Sequence, residues 1–135
     1  MRLKEQRLWD SMKKAMPRHL WPQRIENVVG DGIPDVLVMA PRDVTSWVEL
    51  KAPIRPKRAR TPLLGAKEGL RQSQINWHLK AATKNAATYI LIRDDHKAIF
   101  MIPGRYADEV NNMAIHELGV LSVASNWKEV AEAIQ

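Results

Sequence analysis

No cysteine occurs among the 135 residues. That excludes disulfides, thiolate-held zinc and thiol catalysis, and it suits a reducing compartment. No apolar run approaches the roughly 20 residues that cross a bilayer. The stretch from Met1 to Lys14 is too charged for a signal peptide. No internal repeat or low-complexity segment occurs, and Gly30-x-Gly32 lacks the following Lys-Ser/Thr of a phosphate loop. The four histidines, His19, His78, His96 and His116, show neither HxxxH spacing nor a nucleophile pattern. The expectation is a soluble, cytoplasmic protein with no membrane partner. Apolar residues make up 45% of the chain, enough for one packed core, so 1–135 is expected to form a single domain.

What the chain has is positive charge in one place. The formal net charge is +6. Residues 51–71 hold seven basic residues (Lys51, Arg55, Lys57, Arg58, Arg60, Lys67 and Arg71) against Glu68 alone, and the rest of the chain is balanced. A cluster of this kind suits a polyanion; on its own it is equally a solvated loop.

Periodicity predicts an amphipathic helix over 3–16, with Leu8, Trp9, Met12 and Met16 on its apolar face and Pro17 ending it. Strands are expected at 24–29, 35–39, 46–51, 88–92 and 98–102, with turn chemistry at Gly30–Pro34 and Pro41–Asp43. Residues 53–69, broken by three prolines and Gly65, read as a long loop. A helix is expected over about 70–85. Leu70, Trp77 and Ala81 form its apolar stripe, and Arg71, Gln74 and His78 lie on one polar face. A further helix is expected within 105–117. Asn126 and Glu129 form a capping pair opening a last helix over 127–134. The alternation of helices and strands indicates an α/β layout.

Gly32-Ile33-Pro34-Asp35 opens one strand and Trp47-Val48-Glu49-Leu50-Lys51 closes the next. With Arg42 at the centre of the hairpin, Asp35 faces Glu49, Leu37 faces Trp47 and Met39 faces Thr45. Opposed residues on antiparallel strands have Cβ atoms about 4.5–5.5 Å apart, so the two carboxylates can share one cation. Strand alternation puts Lys51 beside Glu49 and sends Val36, Val38, Val48 and Leu50 to the core face. A slip of one residue would separate the acids. Magnesium usually takes one or two carboxylates plus water and phosphate, and a lysine next to it can position water or neutralise charge. Glu26 is either a third acid or a surface partner of Arg24. His78 shares the Gln74 face, where it could meet a backbone phosphate. Trp9, Trp77 and Trp127 read as core, whereas Trp21 either packs or stacks on a base.

These segments, together with Arg24-Ile25-Glu26-Asn27 and the run from Leu70 to His78, resemble the PD-(D/E)xK nuclease superfamily. Within it they resemble the VRR-NUC (virus-type replication-repair nuclease) family of small phage and bacterial proteins. The resemblance covers about 24–93. It implies an α/β restriction-endonuclease-like core, a central mixed β-sheet flanked by helices. It implies that Asp35, Glu49 and the backbone carbonyl of Leu50 ligate Mg²⁺ or Mn²⁺, with Glu26 as an outer acid. Lys51 would activate water and Gln74 would support the site. The proline-rich basic segment is less typical of the family.

The expectation is a metal-dependent endonuclease acting on branched DNA such as four-way junctions or flaps. Arg55, Lys57, Arg58, Arg60, Arg71 and His78 are the expected DNA contacts, without an evident base-reading code. Paired cuts in a two-fold junction would call for a homodimer. A DNA-binding module without catalysis and a nuclease acting on RNA are the alternatives.

Overall fold

The computed structural model describes residues 3–25 and 32–134. Helix α1 (Leu3–Ala15) opens the chain. It buries Leu8, Trp9 and Met12 and stops at Pro17, which cannot donate to a further turn. Strands β1 (Trp21–Arg24), β2 (Val36–Ala40) and β3 (Val44–Lys51) follow, then a short helix α2 (Gly65–Glu68) and helix α3 (Gln72–Thr83). Strands β4 (Ala87–Arg93) and β5 (Ile99–Pro103) precede two single 3₁₀ turns and helices α4 (Ile115–Leu121) and α5 (Trp127–Ile134).

The five strands form one mixed sheet in the order β1-β2-β3-β4-β5. All neighbours are antiparallel except β3 and β4, which run parallel across the connection that carries α2 and α3. The β2–β3 register pairs Leu37 with Trp47 and Met39 with Thr45, as the Arg42-centred hairpin requires. Arg42 and Asp43 carry the turn with φ of 66° and 62°.

Period-2 alternation gives the sheet two distinct faces. Val36, Val38, Val48, Leu50, Leu91 and Met101 pack against α1 and α5 in one cluster. Ile90, Ile92, Phe100 and Ile102 pack with Leu70, Ile75 and Leu118 on the other side. Full burial of each such side chain contributes about 1.5–3 kcal/mol. On α5, the Glu129 N–H donates to Asn126 Oδ1 at 2.9 Å, while the Glu129 carboxylate reaches Ser125, one residue before its expected partner.

Three expected elements change. The first β-strand runs over Trp21–Arg24; the expected continuation past Ile25, with Glu26, lies outside the described residues. The helix expected within 105–117 is two 3₁₀ turns, Gly104–Tyr106 and Val110–Asn112, and then α4. Gly104 is pressed on Thr88, and the Asn111 side chain is drawn to the backbone of Leu70. Residues 53–69 are more than a loop. Leu63 and Leu64 are buried, the Leu63 N–H donates to the Met113 carbonyl at 3.1 Å, and α2 forms just after them.

Candidate active site

Asp35 stands one residue before β2, and Glu49 and Lys51 lie near the end of β3. Gln74 is on the first turn of α3. All four line one pocket of about 350 Å³, together with Glu5, Lys67, Gly69 and Arg71. The hairpin register delivers Asp35 and Glu49. The β3–β4 crossover delivers Gln74.

Each side chain is held by a specific bond. The Leu50 N–H donates to Asp35 Oδ2 at 2.9 Å, fixing the first carboxyl against β3. Gln74 Nε2 donates to Glu49 Oε2 at 3.1 Å. Gln74 Oε1 accepts from the Arg71 N–H at 2.8 Å, so the helix start orients the amide and leaves its NH₂ for Glu49. Gly32 makes this approach possible. Its φ is +88°, and a Cβ there would collide with the Ser73 carbonyl, so only glycine lets the strand entry press against α3.

Glu49 is 1% exposed, and its Oε1 meets no donor among the described residues. Burial raises its pKa well above the usual carboxylate range. The charge and hydrogen bonding of Asp35 raise it further, and Lys51 offsets part of this. Two carboxyl groups so placed disfavour a second negative charge, and a cation between them relieves that cost. No group of three or more acids and histidines suited to a metal exists among the described residues. The donor set is therefore two carboxyls plus backbone, which fits a small hard cation that keeps water and phosphate ligands. Leu50 has its side chain in the core, 1% exposed, so only its backbone can take part.

The remaining expected residues divide. Lys57, Arg58 and Arg60 are exposed beyond β3, and Arg71 is exposed at the pocket rim. Arg55 is engaged elsewhere: its Nε and Nη2 both lie 2.7 Å from Asp94 Oδ2, and its N–H donates to Asp95 Oδ1 at 2.7 Å. It staples the chain after β3 to the β4–β5 turn, so its guanidinium is not free to hold phosphate. His78 is 0% exposed and cannot meet DNA at the surface. It faces Gly104, and desolvation lowers its pKa to about 4. The expected stripe of α3 is turned as well. Gln74, Ile75 and His78 point inward, whereas Trp77 is half-buried and leans on Trp47 at 5.3 Å between ring centroids. Trp21 is 59% exposed.

Sequence reading missed the buried acceptor Asp94, which also takes the His96 and Ala98 N–H groups. It missed Asn111, whose side chain bonds both the N–H and the carbonyl of Leu70 just before α3. An Asp opening a turn was the available signal for the first; Asn111 offered none. A further hollow, about 740 Å³ beside Asn85, Tyr89 and Ala133, carries one acid, Glu132, and lies apart from the pair.

No family model and no curated protein matches the chain by sequence. Among solved structures, Hjc from Archaeoglobus fulgidus, a Holliday junction resolvase from an archaeal hyperthermophile, superposes with a TM-score of 0.60. The match covers 96% of this chain and 97% of that one, at 15% identity. The chain has the fold of that resolvase. Its mixed sheet and flanking helices are the restriction-endonuclease-like core that the motif resemblance implied. A VRR_NUC domain also matches, at 20% identity over 66% of this chain and 83% of that one, with a TM-score of 0.49.

Proposed function

We propose that the protein is a metal-dependent, structure-specific DNA endonuclease, formed by 1–135 as one nuclease domain. The observation that carries this reading is the buried Asp35–Glu49 pair, with Lys51 and Gln74 in the same pocket. The fold shared with a Holliday junction resolvase supports it and favours branched DNA as substrate.

Asp35, Glu49 and the Leu50 carbonyl would hold Mg²⁺ or Mn²⁺, with Glu26 as the outer acid. Such a cation, when bound, supplies a nucleophilic water and stabilises charge on the phosphoryl oxygens. The chain's own residues do the rest. Gln74 holds Glu49 in one orientation, and Asp35 is pinned by the Leu50 amide. Lys51 lies in the pocket to orient the attacking water and offset charge in the transition state. Lys67 and Arg71 at the rim, with Lys57, Arg58 and Arg60 beyond, hold the phosphate backbone. A homodimer would place two such pockets on a two-fold junction.

The test is incubation of labelled four-way, flap, fork and linear DNA, and a parallel RNA set, with Mg²⁺ or Mn²⁺, for wild type and Glu49→Ala. Metal-dependent cutting of branched DNA by wild type, reduced at least a thousandfold in the variant, is expected, roughly 4 kcal/mol of transition-state stabilisation. Equal product from both proteins overturns the assignment.

A further inference from the structure

Beside the acid pocket, α3 presents a second hollow of about 510 Å³ lined by Ser73, Asn76, Trp77, Lys80, Ala81 and Lys84. Its floor is aromatic. Trp77 is half-buried and backed by Trp47, with ring centroids 5.3 Å apart and planes tilted by 59°. The contact limits the rotamers open to Trp77 before any ligand lies on it. Lys80 and Lys84 are exposed, follow Trp77 along the helix, and have no acidic partner among the described residues. No acid lines the hollow.

The position matters as much as the composition. Trp47 and Glu49 are two apart on β3, so they share a face of the sheet. Ser73 and Gln74 are adjacent on α3, one facing each cavity. The two hollows therefore adjoin across one turn of helix and one step of strand. A single indole with ammonium groups at its edge suits a nucleotide, with base on ring and phosphate on lysine. A base inside a continuous duplex has both faces stacked and cannot occupy it.

We propose that the Trp77 hollow, with Lys80 and Lys84, is a subsite for one unpaired nucleotide next to the cutting centre, and that it selects flapped or frayed DNA over continuous duplex. This rests on the nuclease reading of the acid pocket and names the feature of the substrate that pocket would be shown.

The experiment measures binding in EDTA, where no cutting occurs, by fluorescence anisotropy. Three DNAs are compared: a duplex with one unpaired nucleotide, the same duplex with an abasic residue there, and a continuous duplex. Wild type is expected to prefer the unpaired base over the abasic site roughly tenfold, the scale of base–aromatic stacking. Lys80→Glu/Lys84→Glu, both exposed, should weaken all binding to the unpaired-nucleotide duplex with an unchanged melting temperature. Trp77→Leu should reduce the base-to-abasic ratio to about one. A wild-type ratio of one, or a ratio that survives Trp77→Leu, overturns the subsite. So does a dimer in sedimentation that the lysine variant dissociates without altering DNA affinity, because the face is then a contact between copies of the chain. An intact base preference in a protein that cuts nothing overturns the nuclease reading and leaves the subsite standing.

Discussion

Glu49 concentrates the conflict between folding and function at the scale of one residue. Burial beside Asp35 favours its protonated form, so above the ordinary carboxylate range the folded chain binds this proton more tightly than the unfolded chain does. With its pKa raised on folding, Glu49 adds stability at acid pH that is lost as pH rises above the ordinary carboxylate range. Glu49→Gln should therefore melt higher than wild type at pH 8 without metal. Adding Mn²⁺ should stabilise wild type by about 2.7 kcal/mol at a hundred times Kd, seen as a higher melting temperature, and leave the variant unmoved. Scanning calorimetry with and without Mn²⁺ reads both effects. His78 has the opposite sign. Its folded pKa of about 4 lies below the unfolded value of 6.5, so its contribution is complete above pH 6.5 and is lost as pH falls toward 4. That loss is about 3 kcal/mol. Urea titrations at pH 7 and pH 4.5 should show a smaller difference for His78→Leu than for wild type. The acids and Lys51 were legible in the sequence, because Asp35 and Glu49 interrupt apolar strand patterns at places a hairpin aligns. The burial of His78 was not, because a polar ring on a helix gives no sign that a glycine at position 104 waits to receive it.

At the scale of elements, the hairpin was the most legible part. Its register follows from turn chemistry at Pro41–Asp43 and from alternating valines, both local in sequence. The face of α3 was misread because its orientation is set by bonds that are distant in sequence. Gln74 reaches Glu49 twenty-five residues away, and with Gln74, Ile75 and His78 facing in, Trp77 lies at the margin of the buried face, against Trp47. The segment after β3 was hidden for a similar reason. Prolines and arginines mask Leu63 and Leu64, and the Arg55–Asp94 bond that fixes the segment spans thirty-nine residues. That bond carries its own prediction. Asp94 is 3% exposed and accepts from Arg55, His96 and Ala98. Asp94→Ala should cost about 3 kcal/mol in urea unfolding, by leaving the N–H groups of His96 and Ala98 and the half-buried guanidinium short of an acceptor.

For the whole molecule, charge and topology divide the labour. The positive excess begins at Lys51 and runs to Arg71, and within it Lys57, Arg58 and Arg60 remain exposed after Arg55 has been spent on Asp94. Reversing those three to Glu should weaken DNA binding and reduce the slope of log K against log salt by about 2–3, measured between 50 and 200 mM salt. The α/β class was readable from the order of elements, whereas the mixed sheet came only with the motif resemblance. The parallel pairing of β3 with β4 was not written in either strand, and it is that pairing which brings α3 to the acids. The topology also orders events in time. A hairpin joins Asp35 to Glu49 through neighbouring residues, a closure of microseconds. Gln74 hangs on a parallel crossover, the slower kind of contact to form. Contact order alone therefore puts the pairing of the two acids ahead of the docking of the amide, and φ-values measured along the β2–β3 hairpin are expected to exceed those along α3.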